Sequence, residues 1–368
     1  YNAFSNCQNL IKGIYIEGGT FEGYTFESCN NLIGGITISG GSFGDCTFAN
    51  CQRLSGAEII MISDGQFGQS TFANCANLRG GVAISGGTFG DYTFANCSSL
   101  RGGLSIGGDM SNYAFINCVS LGPDINNVTL YLSGSLGRHC FDGCTSFGGI
   151  LDLIGSASIG ESAFEDFNMP FTLRAKYSSS ASVGRRAFYH CSLVGDLDIS
   201  GIEEIGNEAF ANCPNQLRSL TLYPSTSCGI NVFANTVFAN ESSGGIVMLT
   251  AYLGSKFNQY TFRDVKGLNR LTLFGSGDVA YKSFYGMSSL EGELNIPSGA
   301  NTIEGYAFSG CGFHNIKFGT SVTLKEGAFE NCKRLNGTIN LENILEFPKR
   351  IFYGCSNLQS ITFDYGFS

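Results

Sequence analysis

The sequence predicts an α/β solenoid of about sixteen coils, each of ~23 residues, with a parallel β-sheet on one side and short helical or 3-10 segments on the other. Three observations predict it: long-range self-similarity, evenly spaced phenylalanines, and a change of apolar period inside every unit. Residues 86–106 (GGTFGDYTFANCSSLRGGLSI) and 18–38 (GGTFEGYTFESCNNLIGGITI) agree at twelve of 21 positions, 68 residues apart. A phenylalanine after a small or short residue recurs from Phe4 to Phe352. These sixteen anchors are separated by 21 to 29 residues.

Each unit reads in order from its anchor. Three residues after the Phe comes Cys in twelve of the sixteen units, among them Cys29, Cys51, Cys75 and Cys97, and Leu usually follows three residues later. Spacing of three places Phe, Cys and Leu on one face of a short helical or 3-10 segment. The period then becomes two, as in Ile36-Thr37-Ile38 and Leu104-Ser105-Ile106, which is a strand with apolar residues inward and polar ones outward. Another apolar residue stands five before every anchor from Phe26 onward, and glycine pairs such as Gly40-Gly41 mark corners. A single unit cannot bury its apolar side, so stacking must superpose like residues into ladders, here Phe26, Phe48, Phe72 and Phe94 beside Cys29, Cys51, Cys75 and Cys97. The whole chain, 1–368, reads as one continuous repeat domain: regular GG-T-F units over 1–120, irregular ones over 121–290, regular ones again over 291–368.

Composition narrows the function classes. Charged residues are 14%, net charge is −9, and the 21 basic residues form no runs, which argues against nucleic acid and anionic membrane surfaces. No apolar run is long enough for a membrane span. Fifteen cysteines invite a disulfide reading, but twelve stand at the ladder position, where a free thiol packs as a small hydrophobe. A ladder spreads its thiols along an axis and does not converge them on a metal. Cys46 replaces polar residues of other units and is the expected exposed thiol. No catalytic, cofactor or metal residues emerge: His139, His190 and His314 lie in different repeat contexts, no nucleophile elbow or phosphate loop occurs, and carboxylates such as Asp152, Asp198, Glu203 and Glu204 read as solvated.

Two surface rows remain as candidates. The outward strand positions form a mostly small, neutral row that includes Tyr15, Thr37, Tyr131, Thr221, Thr272, Asn295 and Thr362. A second row lies two residues before the anchors, with Tyr24, Tyr92, Tyr113, Tyr260 and Tyr306; tyrosines of this kind either form a contact surface or pack over the corner of the next coil. Asn96, Asn127, Asn240 and Asn336 are N-glycosylation acceptors by motif.

The segments IGESAFEDF (159–167), IGNEAFANC (205–213) and IFYGCSNLQSITF (351–363) resemble the BspA-type leucine-rich repeat, and the resemblance extends over essentially the whole chain. It implies a curved α/β solenoid and a surface or secreted protein that binds other proteins or cells. The first five units depart from the family pattern by replacing I-G with GG-T-F, and the middle units carry Phe167, Thr236, Val265 and Met287 at the Cys position. Together these readings predict a non-enzymatic extracellular or cell-surface scaffold for a protein or glycan partner. The alternative is a structural subunit that joins its own copies head to tail into a filament or coat, since the chain opens inside a repeat and stops just after a strand.

Overall fold

The computed structural model describes residues 1–54, 59–101, 103–121, 129–155, 158–177, 181–199, 202–214, 216–221, 226–238, 248–253, 257–342, 344 and 346–363. The chain forms two compact units, Tyr1–Ser192 and Leu193–Ser368.

In the first unit, eight parallel strands pair in chain order: Ile14–Ile16, Ile36–Ile38, Ile60–Ile62, Val82–Ile84, Leu104–Ile106, Thr129–Leu132, Gly149–Gly155 and Phe171–Tyr177. Register follows the repeat, with Ile36 beside Ile14 and Ile38 beside Ile16. Alternation places Ile36, Ile38, Ile60, Ile62, Val82 and Ile84 inside.

A second parallel sheet was not foreseen. Its two-residue strands are Thr20–Phe21, Ser42–Phe43, Gln66–Phe67, Thr88–Phe89 and Asp109–Met110. The apolar residue five before each anchor is the inward member of this strand, and the rings of Phe43, Phe67 and Phe89 stack at 4.8 and 4.7 Å.

The third side corrects the expectation of an α/β fold. Among the described residues there is no helix and no 3-10 segment. The anchor instead sits in a run of turns, flanked two residues before and two residues after by left-handed backbone. Tyr24 (φ 61) and Ser28 (φ 57) flank Phe26, Cys46 (φ 56) and Asn50 (φ 60) flank Phe48, and the same holds at all sixteen anchors. A left-handed residue every four positions cannot propagate a right-handed helix. The residues of the following position are mostly Asn, Asp and Gly, which visit this conformation at low cost. Phe, Cys and Leu do share one buried face, because successive i→i+3 turns join them: Cys97 N donates to Phe94 O at 3.3 Å and Leu100 N to Cys97 O at 3.0 Å. The alternating backbone also aims amides at the next coil. Phe26 N donates to Thr47 O at 2.8 Å and Ser28 N to Ala49 O at 2.9 Å, so this side is a hydrogen-bonded stack too.

Inside, the anchor rings from Phe26 to Phe188 form one column, with successive centroids 5.0 to 5.2 Å apart and planes within 8°. That is offset stacking at the inter-coil rise. In the second unit the column from Phe210 to Phe352 is spaced at 5.2 to 5.7 Å.

The thiols do more than fill space. Ten ladder cysteines donate from Sγ to the carbonyl of the anchor Phe one coil back, at 2.9 to 3.4 Å. Thr236, irregular by sequence, makes the same bond with its hydroxyl to Phe210 O at 2.7 Å. Cys and Thr thus both serve as small buried donors at this position, whereas Phe167, Val265 and Met287 fill it with apolar side chains alone. A free thiol is not merely a small hydrophobe here.

The second unit repeats the plan with a divided sheet. Val194–Asp198, Gln216–Thr221, Met248–Tyr252 and Arg270–Phe274 pair in parallel, and so, separately, do Glu293–Ile296 with Asn315–Phe318 and Thr338–Asn340 with Ser360–Thr362.

Candidate functional site

The outward strand row is assembled by register. In the first unit Tyr15 lies beside Thr37, then Met61, Ala83, Ser105 and Tyr131 follow in neighbouring strands. The row carries no charge from Tyr15 to Tyr131. Two members hold large apolar groups out to solvent, Tyr15 at 66% exposure and Met61 at 48%. Beyond Tyr131 come Asp152 and then Arg174. In the second unit Thr221, Thr250 and Thr272 align, Asn295 pairs with Lys317, and exposed Thr362 pairs with Asn340. The side chains of Tyr131 and Thr221 lie outside the described residues.

The second row is built by the left-handed position before each anchor. Tyr24, Tyr92, Tyr113, Tyr260 and Tyr306 all occupy it, with φ between 56 and 61°. In the first unit Tyr92 and Tyr113 stack with centroids 4.9 Å apart, and His139 continues the stack at 5.2 Å. Arg138 lies over the Tyr113 ring. The rings thus pack on neighbouring coils, yet Tyr24 and Tyr92 remain 38% and 40% exposed. In the second unit Lys282 takes the row position between Tyr260 and Tyr306, and its Nζ is 5.2 to 5.8 Å from the ring centres of Tyr260, Tyr281, Tyr285 and Tyr306. The Tyr306 hydroxyl donates to Glu326 at 3.2 Å, and burial together with that carboxylate pushes it up.

Cys46 stands in the same row beside Tyr24. It is half-buried, and burial, followed by Asp45 and Glu27, pushes its thiol up. The exposed cysteine is Cys7. The remaining thiols are buried, and burial raises Cys51 and Cys228 to about 12.

A further row was missed from sequence. The left-handed asparagines after the anchors hydrogen-bond coil to coil: Asn74 Nδ2 to Asn50 Oδ1 at 3.2 Å, Asn96 to Asn74 at 2.9 Å, and Asn117 to Asn96 at 3.0 Å. The recurring N-C pair after the anchor was its signal. The sequon residue Asn96 is therefore committed at both its amide nitrogen and its oxygen. Asn336 is exposed, while Asn127 and Asn240 lie outside the described residues. His139 Nδ1 is 3.3 Å from Asp142 and His190 Nδ1 is 2.8 Å from Asp166, while His314 belongs to the second unit. No group of three or more metal-ligating side chains occurs among the described residues, and no described helix is long and apolar enough to cross a membrane.

Parallel strands in repeat register around aromatic and thiol ladders define a repeat solenoid. The chain belongs to the BspA-type leucine-rich repeat family, whose model matches it in six copies over residues 1–101, 108–243 and 255–368. Among solved structures it is similar to a leucine-rich repeat protein of Bacteroides ovatus, with TM-score 0.53 and 20% identity over 98% of this chain and 86% of that one. A leucine rich cell surface protein of Faecalibacterium prausnitzii matches at TM-score 0.30 and 17% identity over 95% of this chain and 88% of the other. A leucine-rich repeat protein of Eubacterium ventriosum matches at TM-score 0.34 and 19% identity over 65% and 72%. The likeness to the B. ovatus protein shows the fold. No curated protein matches the chain.

Proposed function

We propose that the chain is a non-enzymatic scaffold, displayed at the cell surface or secreted, that adheres to a protein or glycan partner through its tyrosine row and flat sheet face. One observation carries this reading. Five tyrosines sit at a left-handed backbone position, where a residue with a Cβ costs about 1–2 kcal/mol and Asn or Gly far less. The position after the anchor has largely adopted Asn, Asp or Gly, whereas the position before it is Asn or Gly in three coils only and tyrosine in five of the sixteen. A local cost retained repeatedly on a surface points to use. Tyrosine supplies rigid amphipathic contact area, and the uncharged row with Tyr15 and Met61 adds apolar area of the kind enriched at interfaces.

The test replaces Tyr92 and Tyr113 together by Asn. Loss of ring stacking, about 0.5–1.5 kcal/mol, is offset by relief of backbone strain, so melting should shift little. Binding to a panel of immobilised extracellular-matrix proteins and glycans should fall about tenfold or more, which is about 1.4 kcal/mol. A variant that binds like the parent, or that unfolds, would show that the tyrosines only pack coil on coil. Sedimentation of the purified chain addresses the filament alternative, for which a monodisperse species of 39.2 kDa is the contrary result.

A further inference from the structure

We propose that the second unit carries a sugar-binding cleft where its main sheet is interrupted; the proposal deepens the reading of the chain as a scaffold by naming one ligand class and its place. Strand Arg270–Phe274 pairs on one side with Met248–Tyr252, and Glu293–Ile296 pairs on its far side with Asn315–Phe318. No ladder joins Arg270–Phe274 to Glu293–Ile296. The two strands meet at one end, where Glu291 N donates to Asn269 O at 2.6 Å, and part beyond it to leave a cleft of about 650 Å³. That volume lies within the range of small-ligand sites.

The phase of the repeat dictates what the walls offer. In the first unit Ile14 N donates to Gly35 O, and Ile16 O accepts from Ser39 N. The amide and carbonyl of inward strand residues thus face the following coil, and those of outward residues face the preceding one. By the same phase Leu271 and Leu273 direct their main-chain groups into the cleft, which explains why these buried side chains belong to its lining. Glu293 and Asn295 direct theirs back from the other wall. Main-chain groups left out of a ladder need polar partners.

Side chains add acceptors and one free cation. Glu293 is held by Lys317 at 2.8 Å and accepts from Asn315 Nδ2 at 2.9 Å, which keeps its carboxyl low. Glu291 pairs with Arg334 at 3.3 Å. Each carboxylate thus has one basic partner, and both residues line the cleft. Asn269 Oδ1 is buried there without a hydrogen-bond partner, and Arg270 has no ion-pair partner among the described residues. Planar acceptors, a forked donor and main-chain groups around a small volume match a ring bearing several hydroxyls, since each hydroxyl both donates and accepts. A simple anion would meet the carboxylates, and a simple cation would meet Arg270. Phe274, 46% exposed, follows on the same outward side about 7 Å along the strand from Thr272. Its ring lies 5.6 Å from that of Tyr252, an apolar shelf for the C–H face of a sugar.

The experiment applies the purified chain to an array of neutral and acidic oligosaccharides, then measures hydrogen exchange with the best-bound oligosaccharide at saturation. At least one oligosaccharide should bind, exchange should slow at the amides of Leu271, Leu273, Glu293 and Asn295, and Asn269→Ala and Arg270→Ala should each weaken binding about tenfold. Binding of none at millimolar concentration, protection elsewhere, or unchanged affinity in both folded variants would overturn the proposal. Tyr92→Asn/Tyr113→Asn leaves this cleft intact, so loss of partner binding in that variant and loss of sugar binding in these are read separately.

Discussion

The donor role of the ladder position makes a prediction whose sign separates two accounts. Cys97 is fully buried, and its thiol donates to Phe72 O at 3.3 Å. Valine and threonine have nearly the same shape, and only threonine can donate. If the position needed an apolar filler, Cys97→Val would be the better replacement, because burying an unused hydroxyl costs about 1–3 kcal/mol. If it needs a donor, Cys97→Val orphans the Phe72 carbonyl at about 1–3 kcal/mol, while Cys97→Thr keeps the bond as Thr236 does at Phe210 O. The expected order is Thr above Val by about 1–2 kcal/mol. Urea denaturation followed by circular dichroism gives the difference, and native-state hydrogen exchange near Phe72 supplies a local measure where a long repeat array loses two-state behaviour. A valine variant as stable as the threonine variant would refute the donor account.

Other outcomes follow from the same geometry. Gly90→Ala would place a Cβ 2.6 Å from Gly68 C, a backbone atom that cannot yield without separating coils; it should cost about 1–3 kcal/mol, whereas Gly103→Ala, with nothing within 4 Å, should stay within about 0.5 kcal/mol, both read by thermal melting. Burial raises Cys51 and Cys228 to about 12 from 9.0. Their contribution to stability is therefore complete below the unfolded value and lost as pH climbs through that window, about 1.4 kcal/mol per pH unit per thiol, so the melting temperature should fall steeply above pH ~9 and less steeply in Cys51→Thr. Iodoacetamide on the native chain should label Cys7 first and Cys46 slowly, leaving the ladder to react only after unfolding, as peptide mapping will show. In a glycosylating host, glycopeptide analysis should find Asn336 occupied and Asn96, held between Asn74 and Asn117, bare.

Much of the architecture was legible because repetition makes each inference sixteen times over. Fixed apolar positions had to superpose, so the Phe column, the Cys column and the outward row of Tyr15, Thr37 and Met61 could be named from spacing alone. Spacing failed on the turn side. Residues three apart share a face in a helix and equally in successive i→i+3 turns, and only φ distinguishes the two. The asparagines after the anchors carried that information, but their tolerance of left-handed backbone is a permission, and the helix competes until the stacked amides decide. The short second sheet was hidden for a similar reason, since two residues are too few to display a period. The tyrosine row was found from its spacing, whereas its backbone strain was not.

The sequence by itself determined a stack of like coils with aromatic and thiol ladders inside, because no single coil can bury its apolar side and identical units bury it best against each other. Only the tertiary structure decided that the third side is turn and not helix, that thiols serve as donors to the preceding coil, and that the second unit's sheet divides beside Arg270–Phe274. Those outcomes depend on hydrogen bonds between residues twenty or more positions apart, and the direction of an amide is a property of the folded backbone that a pattern of side chains does not carry.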